Sequence, residues 1–237
     1  MGNIEFNLSL LQIGKPKEKK LIIKDINFQL DRDNRIVALI GESGVGKTTI
    51  YKSLFSTYIN LWKKEHPIEF ECNHKINGVV YSHNEIERGV VKPNFGFATQ
   101  NPYFFNYKSV EENLFYPLRW LKGINNTKEF RDSYLNKFQL SNLKKMEMYK
   151  LSGGQRQMVN IARVFLSNPD LVIIDESLSN IDETKAKNYI QIVLSNYSET
   201  FIFLTSHRGV DIDFCGATKI NLSKKNEGTI NEFVTMA

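Results

Sequence analysis

The chain has 237 residues, 41% of them hydrophobic and 24% charged, enough to bury a substantial core and too apolar for wholesale disorder. The net charge of +5 and pI near 9.0 read as a solvated surface with some excess lysine, a balance that nucleotide, nucleic acid or an anionic membrane face would also suit. No apolar run reaches the ~18 to 20 residues of a membrane-spanning helix.

Met1 to Leu11 carries Glu5 and does not read as a signal peptide. Cys72 and Cys215 form neither a metal-ligand pattern nor a disulfide framework, which suits a reducing cytosol. Lys15 to Lys20 is too short and too mixed for a nucleic-acid arm. Ile26, Phe28 and Leu30 alternate with polar residues and predict a strand with one buried face. Arg35 to Ile40 predicts a buried parallel strand. After a glycine-rich turn, Tyr51, Leu54, Phe55 and Tyr58 mark one face of a helix.

Between Pro67 and Thr99, short segments such as Gly78–Tyr81 and Phe95–Ala98 predict antiparallel strands. From Ser109 to Tyr149 the pattern turns helical, opening on a capping box at Ser109-Val110-Glu111-Glu112. Phe130, Tyr134 and Phe138 recur by fours; Met158, Ile161, Ala162 and Phe165 mark another helix face. Leu171–Ile174 and Phe201–Thr205 predict strands, with a helix marked by Ala186, Tyr189, Ile190 and Val193 between them. This alternation predicts a parallel α/β core interrupted by a helical insertion.

Gly41-Glu42-Ser43-Gly44-Val45-Gly46-Lys47-Thr48 fits the phosphate-binding loop G-x-x-x-x-G-K-[ST], between a strand and a helix. The glycines let backbone N–H groups turn towards phosphate oxygens at a helix N-terminus. Lys47 is placed to reach the β- and γ-phosphates, and the Thr48 hydroxyl to bind Mg²⁺; Thr49 completes the nucleotide-binding run. The motif alone does not separate kinases, GTPases and transport ATPases. The strand Leu171–Ile174 ends in Asp175 and Glu176. Asp175 suits Mg²⁺, and Glu176 suits polarising an attacking water.

Leu151-Ser152-Gly153-Gly154-Gln155 then follows the helical insertion. The order of phosphate loop, helical insertion, LSGGQ and strand-Asp-Glu resembles the ABC ATPases from about Ile4 to Phe233. The resemblance implies a P-loop α/β core of ABC type with an antiparallel β subdomain. It implies one ATPase domain over 1–237, with the helical insertion at about 103–165. Ser152, Gly153, Gly154 and Gln155 then form a second anion site, acting on the ATP of a partner subunit. Gln100 matches the glutamine that contacts Mg²⁺ and water, and His207 the histidine that contacts the γ-phosphate. Ser177 to Asp182 matches the loop that touches the opposite subunit. The implied catalytic residues are Glu176, His207, Gln100 and Lys47, and the implied metal ligands Thr48, Gln100 and Asp175.

The resemblance further implies ATP and Mg²⁺ as ligands, a second ATPase subunit, a membrane-spanning permease partner, and no nucleic acid. The expected location is cytoplasmic, on the inner face of the cell membrane. The segment Val110–Leu118 is similar to subunits of lipoprotein-release and macrolide-efflux systems and is expected to face the membrane partner. One departure stands out: between Asn7 and Asn27 there is no aromatic to stack on adenine. A soluble ATPase acting on DNA would need a long coiled coil, and one acting on ribosomes two tandem domains; neither pattern is present. A small-molecule P-loop kinase leaves LSGGQ and His207 without a role.

Overall fold

A computed structural model describes residues 3–13, 20–54, 68–82, 84–85, 88, 94–119, 126–178, 181–207, 216–222 and 235–236. In chain order its elements are β1 (Ile4–Ile13), β2 (Lys20–Leu30), β3 (Ile36–Gly41), α1 (Lys47–Leu54), β4 (Ile68–Ile76), β5 (Val79–Ser82) and β6 (Phe95–Ala98). They continue with α2 (Val110–Phe115), α3 (Lys128–Lys137), α4 (Gly153–Phe165), β7 (Leu171–Asp175), α5 (Glu183–Asn196), β8 (Phe201–Ser206), β9 (Thr218–Leu222) and β10 (Thr235–Met236). The chain divides into two compact units, one formed by Met1–Pro93 with Phe201–Ala237 and the other by Asn94–Thr200.

In the first unit, β2, β1, β4 and β5 form an antiparallel sheet in that order. The predicted alternation holds: Phe28 and Leu30 are buried and Asn27 and Gln29 exposed. Phe6 stacks on Phe28 at 4.9 Å and meets the buried His74 edge-on at 5.1 Å. Phe28 in turn lies 5.5 Å from Phe203 of β8. The β4–β5 hairpin turns at Asn77 and Gly78, both with positive φ as a two-residue turn of right-handed twist demands. Strand β3 is flanked by β8 and β9, both parallel to it, and β10 pairs antiparallel to β9. The apolar run Ile36 to Ile40 is buried throughout, as a strand covered on both faces requires. Tyr51 of α1 is buried as expected, whereas Phe55 and Tyr58 lie outside the described residues.

In the second unit the expectation for Phe95–Ala98 is corrected. It runs parallel to β7, with Phe95 opposite Leu171 and Ala98 opposite Ile174. The physical reason is cover. The Val164 side chain of α4 packs where a Cβ at Gly96 would sit, so β6 takes a helix on its face in the manner of a parallel α/β layer. The helices share an aromatic core. Tyr134 lies 4.9 Å from Phe138, and Phe165 lies 4.7 Å from Tyr197. Tyr134 donates its hydroxyl to the Ala162 carbonyl at 2.6 Å, and Tyr189 donates to the carbonyl of Phe138. Burial pushes both hydroxyls up from their ordinary range, so they remain protonated donors. The capping box expected at Ser109 is formed in both directions with Glu112.

Candidate functional site

The phosphate-binding loop of the first unit runs from the end of β3 into α1. Gly44 and Gly46 have φ of 74° and 103°, which residues with a Cβ adopt only at a cost. The loop runs directly into the first turn of α1, which carries no acidic residue to oppose an anion at that helix N-terminus. Val45 is buried and anchors the loop, while Glu42, Ser43, Gly44 and Thr48 are exposed and Gly41, Gly46 and Thr49 half-buried.

Lys47 is only 4% exposed. Its ammonium donates to the carbonyls of Gly41 at 2.6 Å and Glu42 at 3.0 Å, and lies 3.3 Å from His207 Nδ1. The loop carbonyls therefore hold the charge within the loop itself. The sequence-predicted Lys47 and His207 are brought together here, although 160 residues separate them.

In the second unit, Asp175 and Glu176 stand at the end of β7, both half-buried. Glu176 has a φ of 49°, in the left-handed region that non-glycine residues rarely occupy. Such strain concentrates at functional positions. Gln100, just beyond β6, donates Nε2–H to Glu176 Oε2 at 3.2 Å. An amide and a carboxylate so paired can orient one water between an acceptor and a donor.

Ser152 caps α4: its hydroxyl accepts from the Gln155 N–H at 3.2 Å, and the Gln155 side chain accepts from the Ser152 N–H at 2.9 Å. Ser152 and Gly153 are exposed at this helix N-terminus, where the dipole favours an anion. Asp182 caps α5, accepting from the N–H groups of Thr184 at 3.1 Å and Lys185 at 3.3 Å. In the preceding loop, Ser179 and Asn180 lie outside the described residues.

Two polar side chains, Gln157 and Asn160, escaped the sequence reading, and Ser177 was read there only as the start of the loop that touches the opposite subunit. Gln157, Asn160 and Ser177 are 3%, 1% and 0% exposed and all bond to the backbone at the end of β6. Their signal was present: Gln157, Asn160, Ile161 and Phe165 follow the spacing of a buried helix face, so two amides stood where apolar side chains were expected.

Phe105, Lys108, Glu111, Glu112, Phe115, Tyr116, Asn126 and Arg131 line a cleft of about 590 Å³ on the second unit. Its charges are matched within the unit: Lys108 meets Glu112 at 3.0 Å, and Glu111 meets Lys144 at 3.6 Å. Tyr103, Phe105, Tyr107 and Tyr149 are all at least half exposed, an unusual density of surface aromatics. Among the described residues no helix is long and apolar enough to cross a membrane.

The profile of the ABC transporter family matches residues 23–179. An uncharacterised ABC transporter ATP-binding protein of Bacillus subtilis is 30% identical over 93% of this chain and 79% of its own length. The lipoprotein-releasing system ATP-binding protein of Buchnera aphidicola is 32% identical over 78% of this chain and 79% of its own. A zinc import ATP-binding protein of Rickettsia prowazekii is 30% identical over 82% of this chain and 73% of its own. Among solved structures, an ATP-binding cassette dimer with ADP and Pi superposes with a TM-score of 0.69 over 98% of this chain and 99% of that one, at 20% identity. That likeness shows the same fold, with its antiparallel and parallel sheets. By the profile match over most of its length, and by relatives at 30% identity or more, the chain belongs to the ABC transporter family and is an ATP-binding, ATP-hydrolysing protein of that family.

Proposed function

We propose that this ATPase binds Mg·ATP on its Gly41–Thr49 segment, hydrolyses it with Glu176, and works as a pair of like subunits that drives a separate membrane permease. The observation that carries this reading is the Gln100–Glu176 pair at 3.2 Å, set on a strained backbone at a strand end. Lys47 and the loop N–H groups hold the β- and γ-phosphates, and His207 contacts the γ-phosphate. Thr48, Asp175 and Gln100 offer hydroxyl, carboxylate and amide oxygens, the hard donors Mg²⁺ prefers. When bound, Mg²⁺ neutralises charge on the phosphate oxygens. Glu176 accepts the proton of the attacking water, and the Gln100 amide holds that carboxylate in place.

Ser152 to Gln155 and Asp182 act on the nucleotide held by the second subunit, so the single domain of 1–237 works only when paired. The aromatic cleft around Phe105 and Tyr116 takes an apolar segment of the permease, which holds the pair at the inner face of the membrane. Relatives named for zinc import and for lipoprotein release match to nearly equal degree, so the likeness reaches the motor and stops short of the cargo.

The test is size-exclusion chromatography of the Glu176→Gln chain with ATP. Retained binding, turnover lowered about a hundredfold or more, and a shift to twice the mass are expected. Near-normal turnover, or a monomer at saturating ATP, would refute the reading.

A further inference from the structure

The backbone that carries Gln100 is tied down from an unexpected direction. Strand β6 ends at Ala98, so the carbonyls that follow leave the sheet ladder and must find other partners. Helix α4 supplies them. Gln157 donates Nε2–H to the Gln100 carbonyl, and Asn160 donates Nδ2–H to the Thr99 carbonyl at 3.0 Å. The same Asn160 amide lies 3.2 Å from Gln157 Oε1, which fixes the orientation of the glutamine. From the other side, the Ser177 hydroxyl lies 2.9 Å from the carbonyls of both Ala98 and Thr99. Ser177 adjoins Glu176, and Glu176 accepts from the Gln100 side chain. The bonds therefore close a ring that runs Gln157, Gln100, Glu176, Ser177, Thr99, Asn160 and back to Gln157.

Satisfying buried carbonyls explains why some polar side chain stands at each place. It does not explain why the ring passes through the two residues assigned to the attacking water. We infer that Gln157 is a positioning residue for hydrolysis. By holding the Gln100 carbonyl it fixes the backbone from which the Gln100 side chain reaches Glu176, and Asn160 holds Gln157 in turn. The inference rests on the reading of Gln100 and Glu176 given above. It places the support of one hydrolytic site on the helix whose N-terminus carries Ser152, so the two chemical ends of the second unit share one rigid element.

The experiment is steady-state ATP hydrolysis by the full chain with five variants, one of them double. Gln157→Met keeps the length and volume of the side chain and removes the donor. A loss of roughly tenfold to a hundredfold in kcat is expected, the scale of a misplaced catalytic group, with KM for ATP changed less than about threefold. Combined with Gln100→Ala, Gln157→Met should cost nothing further, because its effect runs through the Gln100 side chain. A merely structural role would instead multiply the two losses. Gln157→Glu sets a carboxylate against a carbonyl, two acceptors face to face; its activity relative to wild type should rise as pH is lowered and the acid regains a proton to donate. Glu176→Gln runs alongside. If it retains turnover, the reading of Glu176 fails. If it is inactive while Gln157→Met hydrolyses ATP within twofold of wild type, or if the Gln157→Met and Gln100→Ala losses multiply, the positioning role of Gln157 fails alone.

Discussion

The Lys47 ammonium lies 3.3 Å from His207 Nδ1. An ammonium has only protons to give, so Nδ1 accepts and the ring proton rests on Nε2. His207 is exposed just beyond β8, which suits the nucleotide contact proposed for it. His207→Ala should lower kcat about a hundredfold to a thousandfold, the range for removing one preorganised donor. ATP affinity should change far less. Equilibrium binding of a fluorescent ATP analogue beside phosphate-release rates separates the two; an unchanged kcat would remove His207 from the reaction.

Ser152→Arg should abolish hydrolysis while leaving each subunit's own ATP binding intact, because this helix N-terminus is assigned to the partner's nucleotide. Mixing it with Lys47→Ala, itself inactive, should restore activity. Random pairing makes about half the dimers mixed, each with one working site, so roughly a quarter of the wild-type rate is expected. A mixture as inactive as its parents would mean that each subunit hydrolyses alone.

The chain should discriminate poorly between ATP and GTP. No aromatic stands between Asn7 and Asn27, and Phe6 is fully buried against Phe28, out of reach of a base. Base stacking on an aromatic is worth roughly 1 to 3 kcal/mol, and phosphate contacts cannot restore that selectivity. Side-by-side titration should give a ratio under about fiftyfold, or about 2.3 kcal/mol; a larger preference would show that another residue reads the adenine.

Glu112 is held down to about 2, first by the Ser109 backbone N–H and then by Lys108 and the Ser109 hydroxyl. Its folded value lies below the ordinary 4.5, so its contribution is present above pH 4.5 and is lost as pH falls towards 2. The group is solvent-screened, so at neutral pH the contribution is below about 1 kcal/mol. Urea midpoints of wild type and Glu112→Gln should differ at pH 7 and draw together as pH falls towards 2. A gap that widens on acidification would contradict the assigned cause.

Tyr189→Phe should destabilise the protein by about 1 to 3 kcal/mol, because the Phe138 carbonyl loses a buried donor. Urea unfolding checks the value. Tyr189 is not among the residues assigned to the nucleotide, so ATP binding should persist in the folded fraction.

Much of the chemistry was legible because it follows from local rules. Glycines before a lysine at a helix start, a buried strand ending in two acids and a serine at a helix N-terminus are all written within a few residues of one another. Tertiary structure alone decided three further matters. Phe95–Ala98 reads as an antiparallel strand by its neighbours in sequence, yet it pairs in parallel with β7, because pairing direction depends on a partner 76 residues away and on the helix that covers it. Gln157 and Asn160 carry no visible role in the sequence, and only the end of β6 gives them carbonyls to bond. Lys47 and His207 are read separately from their motifs, and the parallel pairing of β3 with β8 brings them together. A sequence specifies what each side chain can donate or accept; folding decides which group across the chain stands within 3 Å to receive it.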